Sequence, residues 1–317
     1  MKPNGQVMFL AFAFLLLSAC ASLIPIKVGP PSEISLETTP DRLARGEYLA
    51  NSVMFCIHCH SENNWNYFSG PVQSGTEGMG GEAYVEPFGT IYASNITPTA
   101  LGDWTDGELV QAITEGVNRE KMPLFPIMPS SRYKNMDTED VYSVVVYLRS
   151  LKPISNTVPE KVLKFPFNHI ERTFPEPFNP ISRPAITNKV AYGEYLSTIA
   201  DCISCHTPRT KSAKPIEDLF LAGGFEFQTP GGGIVRSSNI TPDDATGIGS
   251  WDEEVFINRF ADYAVPPGGG IPVEKNENTV MPWSAYVTMT EEDLSAIYAY
   301  LRSVVPVKNN VNEWGTE

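Results

Sequence analysis

Cys56-Ile57-His58-Cys59-His60 and Cys202-Ile203-Ser204-Cys205-His206 are two copies of C-x-x-C-H in one chain of 317 residues. No other feature restricts the fold as strongly. Two thiols at this spacing meet the two vinyl groups of one haem, and the adjacent histidine reaches the iron. A zinc site would draw four ligands from a Cys/His set, and a thioredoxin-like dithiol would need a βαβ setting. The expectation is therefore two covalently bound haem c, on Cys56 and Cys59 and on Cys202 and Cys205, with His60 and His206 on the two irons.

The chain has five cysteines, and the fifth belongs to processing. Lys2 is followed by a largely apolar run from Val7 to Leu17 and then by Leu17-Ser18-Ala19-Cys20. A basic start, a short apolar stretch and small residues make an export signal, too short to span a bilayer comfortably. Leu-Ser-Ala-Cys resembles the bacterial lipoprotein signal, which implies a signal peptide over 1–19 and lipidation of Cys20. The residues 20–39 then form a lipidated, proline-containing tether that anchors the protein to a membrane on the extracytoplasmic, periplasmic side. Ala21 stands where an Asp usually retains a lipoprotein at the inner membrane, so outer-membrane attachment is favoured.

The two motifs sit in an internal repeat. Arg45-Gly46-Glu47-Tyr48-Leu49 matches Tyr192-Gly193-Glu194-Tyr195-Leu196, and Ser94-Asn95-Ile96-Thr97-Pro98 matches Ser238-Asn239-Ile240-Thr241-Pro242. Trp104 matches Trp251, Met128-Pro129 matches Met281-Pro282, and Tyr147-Leu148-Arg149-Ser150 matches Tyr300-Leu301-Arg302-Ser303. This predicts an all-α chain of two tandem domains, 40–152 and 188–317, joined by a Pro-rich linker over 153–187. Proline at that density resists helix and favours a stiff, extended connection. Thr39-Pro40 predicts a helix start running toward Cys56. Asp137 and Thr290 read as N-caps, with Asp140 and Asp293 three residues on as in a capping box. Behind them Val141, Val144, Val145, Leu148 and Leu294, Ile297, Tyr298, Leu301 recur at helical spacing and predict core faces. Gly46 and Gly193 read as points of close helix–helix approach.

A histidine-ligated haem iron has a sixth position to fill. Methionine sulfur binds without charge and favours the reduced state, which raises the potential. Met128 and Met281 each precede proline and each stand nine residues before the predicted N-cap, so they are the expected axial ligands. Met122 and His169 are the rivals; Met136 and Met289 are expected in the core, and His58 on the surface.

The formal net charge is −14, the wrong sign for a protein that neutralises phosphates, which excludes nucleic acid. There are 8 basic and 14 acidic residues in 40–152, and 9 and 16 in 188–310. Such a surface would steer onto a basic partner.

Phe88-Gly89-Thr90-Ile91-Tyr92-Ala93-Ser94-Asn95-Ile96-Thr97-Pro98, together with the repeated C-x-x-C-H, is similar to the cytochrome c subunits of bacterial membrane-bound alcohol, aldehyde and gluconate dehydrogenases. Phe165-Pro166-Phe167-Asn168 extends the likeness. The resemblance implies a tandem dihaem cytochrome c of two class I domains. It also implies electron transfer from a redox partner, such as a dehydrogenase, to an oxidase or carrier of a respiratory chain. By the same resemblance Tyr92, Asn95, Trp104, Asn239 and Trp251 line haem edges or propionates; packing of their loops is the alternative. Those subunits carry three haem motifs and this chain carries two. The rival class is a dihaem redox enzyme, a peroxidase or a thiosulfate-oxidising cytochrome, which would need an open iron position or an unusual ligand.

Overall fold

A computed structural model describes residues 28–165, 175–210, 213–230, 232–264, 269–273 and 278–315. The predicted signal peptide, Cys20, His169 and the segment 166–168 lie outside the described residues. In each repeat a helix leading to the C-x-x-C-H motif packs on a later helix carrying the Tyr-Leu-Arg-Ser sequence. These pairs are Pro40–Tyr48 with Thr138–Ser150, and Lys189–Ile199 with Glu291–Ser303. The predicted caps are present: Arg42 N donates to Thr39 Oγ1 at 3.3 Å, Glu139 N to Asp137 Oδ1 at 2.9 Å and Asp293 N to Thr290 Oγ1 at 3.2 Å. Val141, Val144, Val145, Leu148, Leu294, Ile297 and Leu301 are buried, and Tyr298 is half-buried. Met136 and Met289 are in the core as expected.

The helices of each pair cross at glycine. A Cβ on Gly46 would overlap the Ser143 carbonyl oxygen and stand 2.9 Å from the Cβ of Tyr147. A Cβ on Gly193 would overlap the carbonyl oxygen of Ala296, the residue equivalent to Ser143, and stand 3.0 Å from Ile297 N. Backbone-to-backbone approach this close admits no side chain.

The first repeat has one residue more than the second between the helix and its motif: Leu49 to Cys56 against Leu196 to Cys202. The helix Pro40–Tyr48 absorbs it by widening into a π-helical turn, Leu49–Val53, so Cys56 and Cys202 start their own short helices alike. A π-turn is how a helix takes one inserted residue without losing its direction.

Two small antiparallel sheets add to the helices expected from sequence. In the first, β1 (Ala83–Glu86) pairs with β2 (Gly89–Tyr92), and β2 pairs with β3 (Val162–Leu163). In the second, β4 (Glu226–Gln228), β5 (Ile234–Arg236) and β6 (Trp314–Gly315) repeat the order. The outer strand thus comes from the segment beyond each repeat's last helix. Asn156 Nδ2 donates to Met79 O and Gly80 O, both at 3.2 Å, and Asn309 Nδ2 donates to Ala222 O at 2.9 Å and Gly223 O at 3.3 Å. Residues 154–163, proline-linked in sequence, are therefore held against the first repeat as 307–315 are against the second. The segment 28–39 is also docked: Gln111 Nε2 donates to Gly29 O at 3.0 Å, and Leu36 N to Asp106 Oδ2 at 2.8 Å. Among the described residues, no helix is long and apolar enough to cross a membrane.

The repeats meet about a pseudo-two-fold. Tyr195 OH donates to Asp140 Oδ2 at 2.7 Å and accepts from Asp137 N at 3.3 Å. Its equivalent Tyr48 donates to Asp293 Oδ2 at 2.6 Å and accepts from Thr290 N at 3.2 Å. Each tyrosine therefore closes the other repeat's helix start. This corrects the capping-box expectation: Asp140 and Asp293 turn across the interface instead of back to their own N-caps. Asp140 is fully buried and also takes both arms of Arg45, at 2.9 and 3.0 Å, and Arg183 at 2.6 Å. Burial works against its charge, but the arginines and the tyrosine hydroxyl outweigh it and hold the carboxyl below the usual carboxylate range.

Candidate haem sites

The same sequence builds the same surroundings twice. The residue before each first cysteine has left-handed backbone, Phe55 at φ 42° and Asp201 at φ 54°. That bend ends the incoming helix and starts the one-turn helix Cys56–Cys59 or Cys202–His206. A single turn places cysteines three apart on one face.

His60 Nδ1 lies 2.7 Å from the Ser94 carbonyl and His206 Nδ1 lies 2.8 Å from the Ser238 carbonyl. A carbonyl can only accept, so Nδ1 carries the proton and Nε2 keeps its lone pair. This is the tautomer and orientation that a ligating imidazole needs. Burial lowers the pKa of both rings, against the pull of the carbonyl, and keeps them neutral at physiological pH. The backbone of each histidine is fixed as well: Gly80 N donates to His60 O and Gly223 N to His206 O, both at 2.8 Å. Gly80 and Gly223 have φ of 71° and 72°, and a Cβ on either would strike the Ser-Asn loop behind the histidine. The repeated Gly-Gly pairs at 80–81 and 223–224 are the signal that could have marked them.

All four motif cysteines are half-buried free thiols. Burial pushes Cys56 up to about 12, Cys59 to about 11, and Cys202 and Cys205 to about 12. A dithiol poised for exchange requires the opposite shift. Neutral thiols on one face of a turn, next to an imidazole with a directed lone pair, fit thioether attachment of a haem. Cys56, Cys59 and His60 would hold one, and Cys202, Cys205 and His206 the other.

Met128 and Met281 occupy equivalent places. Each is half-buried against the core, and each carbonyl accepts from the residue two further on, Ser130 N at 2.9 Å and Trp283 N at 2.8 Å. A short helix then follows, Ser130–Tyr133 or Trp283–Tyr286. Met122 is 57% exposed, and its backbone N–H is spent on Asn118 Oδ1 at 2.8 Å. His58 corrects the surface expectation: it is buried, and its Nε2 donates to the Ser69 carbonyl at 3.1 Å. The hairpin 63–72 folds back over it, a tertiary contact with no local signature.

Asn95 and Asn239 are buried and lock their loops through the same three bonds, to which Asn239 adds one to Thr246 Oγ1 at 3.0 Å. Asn95 Nδ2 donates to Ile154 O at 2.8 Å, and its Oδ1 accepts from Thr97 N at 2.9 Å and Thr97 Oγ1 at 2.7 Å. Asn239 Nδ2 donates to Val307 O at 2.7 Å, and its Oδ1 accepts from Thr241 N at 2.9 Å and Thr241 Oγ1 at 2.8 Å. Both side chains fix the serine carbonyl one residue upstream, which in turn orients the histidine. Trp104 and Trp251 are half-buried. The Trp104 carbonyl accepts from Arg149 and its ring lies 5.9 Å from the Arg119 guanidinium; the Trp251 carbonyl accepts from Tyr298 OH at 2.8 Å. Tyr92 is half-buried at the end of β2, opposite Ala83.

Residues 190–305 match the family model described as Cytochrome c. The fructose dehydrogenase cytochrome subunit of Gluconobacter japonicus is 30% identical, over 83% of this chain and 52% of that protein. The cytochrome c subunit of the quinone alcohol dehydrogenase of Gluconacetobacter polyoxogenes is 29% identical, over 95% of this chain and 62% of that protein. A diheme cytochrome c-type protein of Cereibacter sphaeroides is 26% identical, over 80% of this chain and 83% of its own length. The chain thus spans between half and two thirds of the length of the two dehydrogenase subunits. Residues 190–305 thus carry the likeness to the cytochrome c family, and over most of its length the chain is similar to the cytochrome subunits of dehydrogenases.

Proposed function

We propose that the chain is a dihaem c-type electron carrier with two tandem cytochrome c domains. In this reading it passes electrons from an extracytoplasmic donor, a membrane-associated dehydrogenase, to a respiratory acceptor. The observation that carries the reading is the duplicated histidine anchor, Ser94 to His60 and Ser238 to His206. Cys56 and Cys59, and Cys202 and Cys205, would hold one haem c each, and His60 with Met128, and His206 with Met281, would bind the two irons. When bound, each haem supplies a reversible one-electron couple whose potential thioether ligation raises. The protein's own part is to hold Nε2 of each histidine unprotonated and to fix each methionine loop. It also packs the half-buried attachment turn against the core, so that less around the site reorganises with a change of charge. The rival peroxidase-type chemistry needs a free acid–base group near the site, and His58 is committed to the Ser69 carbonyl. The lipoprotein signal before Cys20 supports a lipid-anchored, extracytoplasmic location, with the acidic surface turned to redox partners.

The role is tested in the native host's membranes, by following the c-type absorbance of this chain while sugars, alcohols and aldonates are added in turn. One substrate is expected to reduce the chain at the rate of respiration, and a Cys202→Ala, Cys205→Ala variant is expected to slow that respiration several-fold. Respiration unchanged on every such substrate in the variant would contradict the carrier role.

A further inference from the structure

The loop bearing each candidate axial methionine is fastened to the other repeat. Ser69 lies in the hairpin closed by the Asn63–Val72 bridge; its counterpart in the second repeat, closed by the Arg209–Pro215 bridge, is shorter. The extra length carries Ser69 across to the Met281 loop. There Ser69 Oγ donates to Met281 O at 2.7 Å and accepts from Ser284 N at 3.2 Å, and Ser69 N donates to Asn278 Oδ1 at 2.9 Å. Its carbonyl accepts from Ser284 Oγ at 3.3 Å and from His58, inside the first haem motif, at 3.1 Å. Ser69 is 1% exposed and has φ of 63°, a conformation a serine keeps only where its surroundings impose it. The reverse connection runs from the helix behind Met128. Arg132 Nε donates to Asp201 Oδ1 at 3.1 Å and to Ser204 Oγ at 3.2 Å, and its Nη2 donates to Ser204 Oγ at 3.1 Å. Asp201 precedes Cys202, and Ser204 lies between the two cysteines of the second motif. Each methionine loop is thus held by groups bonded to the opposite C-x-x-C-H turn.

We propose that Ser69, which holds the Met281 loop from the first repeat, and Arg132, which ties the segment after Met128 to the second repeat's motif, are positioning residues that couple the two haem sites. This rests on Met128 and Met281 being the axial ligands. Coupling follows because any displacement of one attachment turn, at His58 or at Asp201 and Ser204, is transmitted by direct hydrogen bonds to the loop that places the other site's sulfur.

The test is a redox titration of the full-length holoprotein, with the near-infrared methionine–iron band as second readout. Ser69→Gly removes the hydroxyl while keeping the left-handed backbone free of strain. It is expected to lower the potential that Met281→Ala lowers, to weaken the share of the band that Met281→Ala removes, and to leave the other potential in place. Arg132→Lys keeps the charge and loses the fork, and it is expected to lower the potential that Met128→Ala lowers. Potentials and band unchanged in both variants, or a Ser69→Gly shift confined to the first repeat's own haem, would overturn the proposal. If Met281→Ala leaves the band intact, it is the ligand reading that fails. If Ser69→Gly does not fold, Arg132→Lys alone decides, and its failure to move either potential counts against the coupling.

Discussion

Replacing Asp140 with alanine is expected to cost about 3–5 kcal/mol of stability, the range for breaking a buried ion pair by removing one partner. The carboxylate is fully buried and serves Arg45, Arg183 and Tyr195 together. Its loss strands the Arg45 guanidinium and opens the contact between repeats at the same time. Asp140→Asn keeps the shape without the charge and separates the two effects by pH. The folded carboxyl is held below its ordinary value, so its stabilisation is fully present above the unfolded pKa of about 3.9 and fades as pH falls through the folded value. In urea unfolding, wild type should exceed Asp140→Asn by a constant margin from about pH 5 to 8, and the margin should shrink toward pH 3. A margin independent of pH would show that the charge is not what holds the interface.

Met128→Ala and Met281→Ala are each expected to lower one haem potential by on the order of 100 mV. This is a modest part of the ~0.8 V range that axial ligands command. Each should also remove its share of the near-infrared methionine–iron band, whereas Met122→Ala should leave both readouts alone. Register separates the three methionines. Met128 and Met281 share a backbone hydrogen bond from the residue two further on, a following proline and a following short helix; exposed Met122 shares the proline but neither the hydrogen bond nor the helix. Water or no ligand in place of sulfur takes away the group that favours the reduced iron, which sets the sign. A Met122→Ala shift with Met128→Ala silent would reverse the assignment in the first repeat.

Most of what builds the sites could be read along the chain, because it is local or repeated. The cysteine spacing, the adjacent histidines, the caps at Thr39, Asp137 and Thr290, and the helix faces behind them depend on neighbours within a turn or two. The paired glycines at 46 and 193 stood out because they recur at the same point of the repeat. What sequence misread depends on distant partners. Asp140 obeys a local capping rule by position, but Arg45 and the opposite tyrosine offer it two charged arms and a hydroxyl, and tertiary pairing wins. His58 has no nearby apolar pattern that would predict burial; the hairpin carrying Ser69 covers it. The six strands among the described residues run two to four residues each, too short for an alternating pattern to register. The outer strand β3 also lies in a segment whose prolines advertise only extended chain. The crossed fastening of the methionine loops was invisible for the same reason, since Ser69 and Met281 are far apart in sequence.

Haem content per chain tests the central claim most directly. A pyridine haemochrome assay on the purified full-length holoprotein, set against protein concentration by amino-acid analysis, should return two haem c per chain. The Cys56→Ala, Cys59→Ala and Cys202→Ala, Cys205→Ala variants should each return one. A value of one for the unaltered chain, or loss of both haems with either pair of substitutions, would contradict two independent attachment sites.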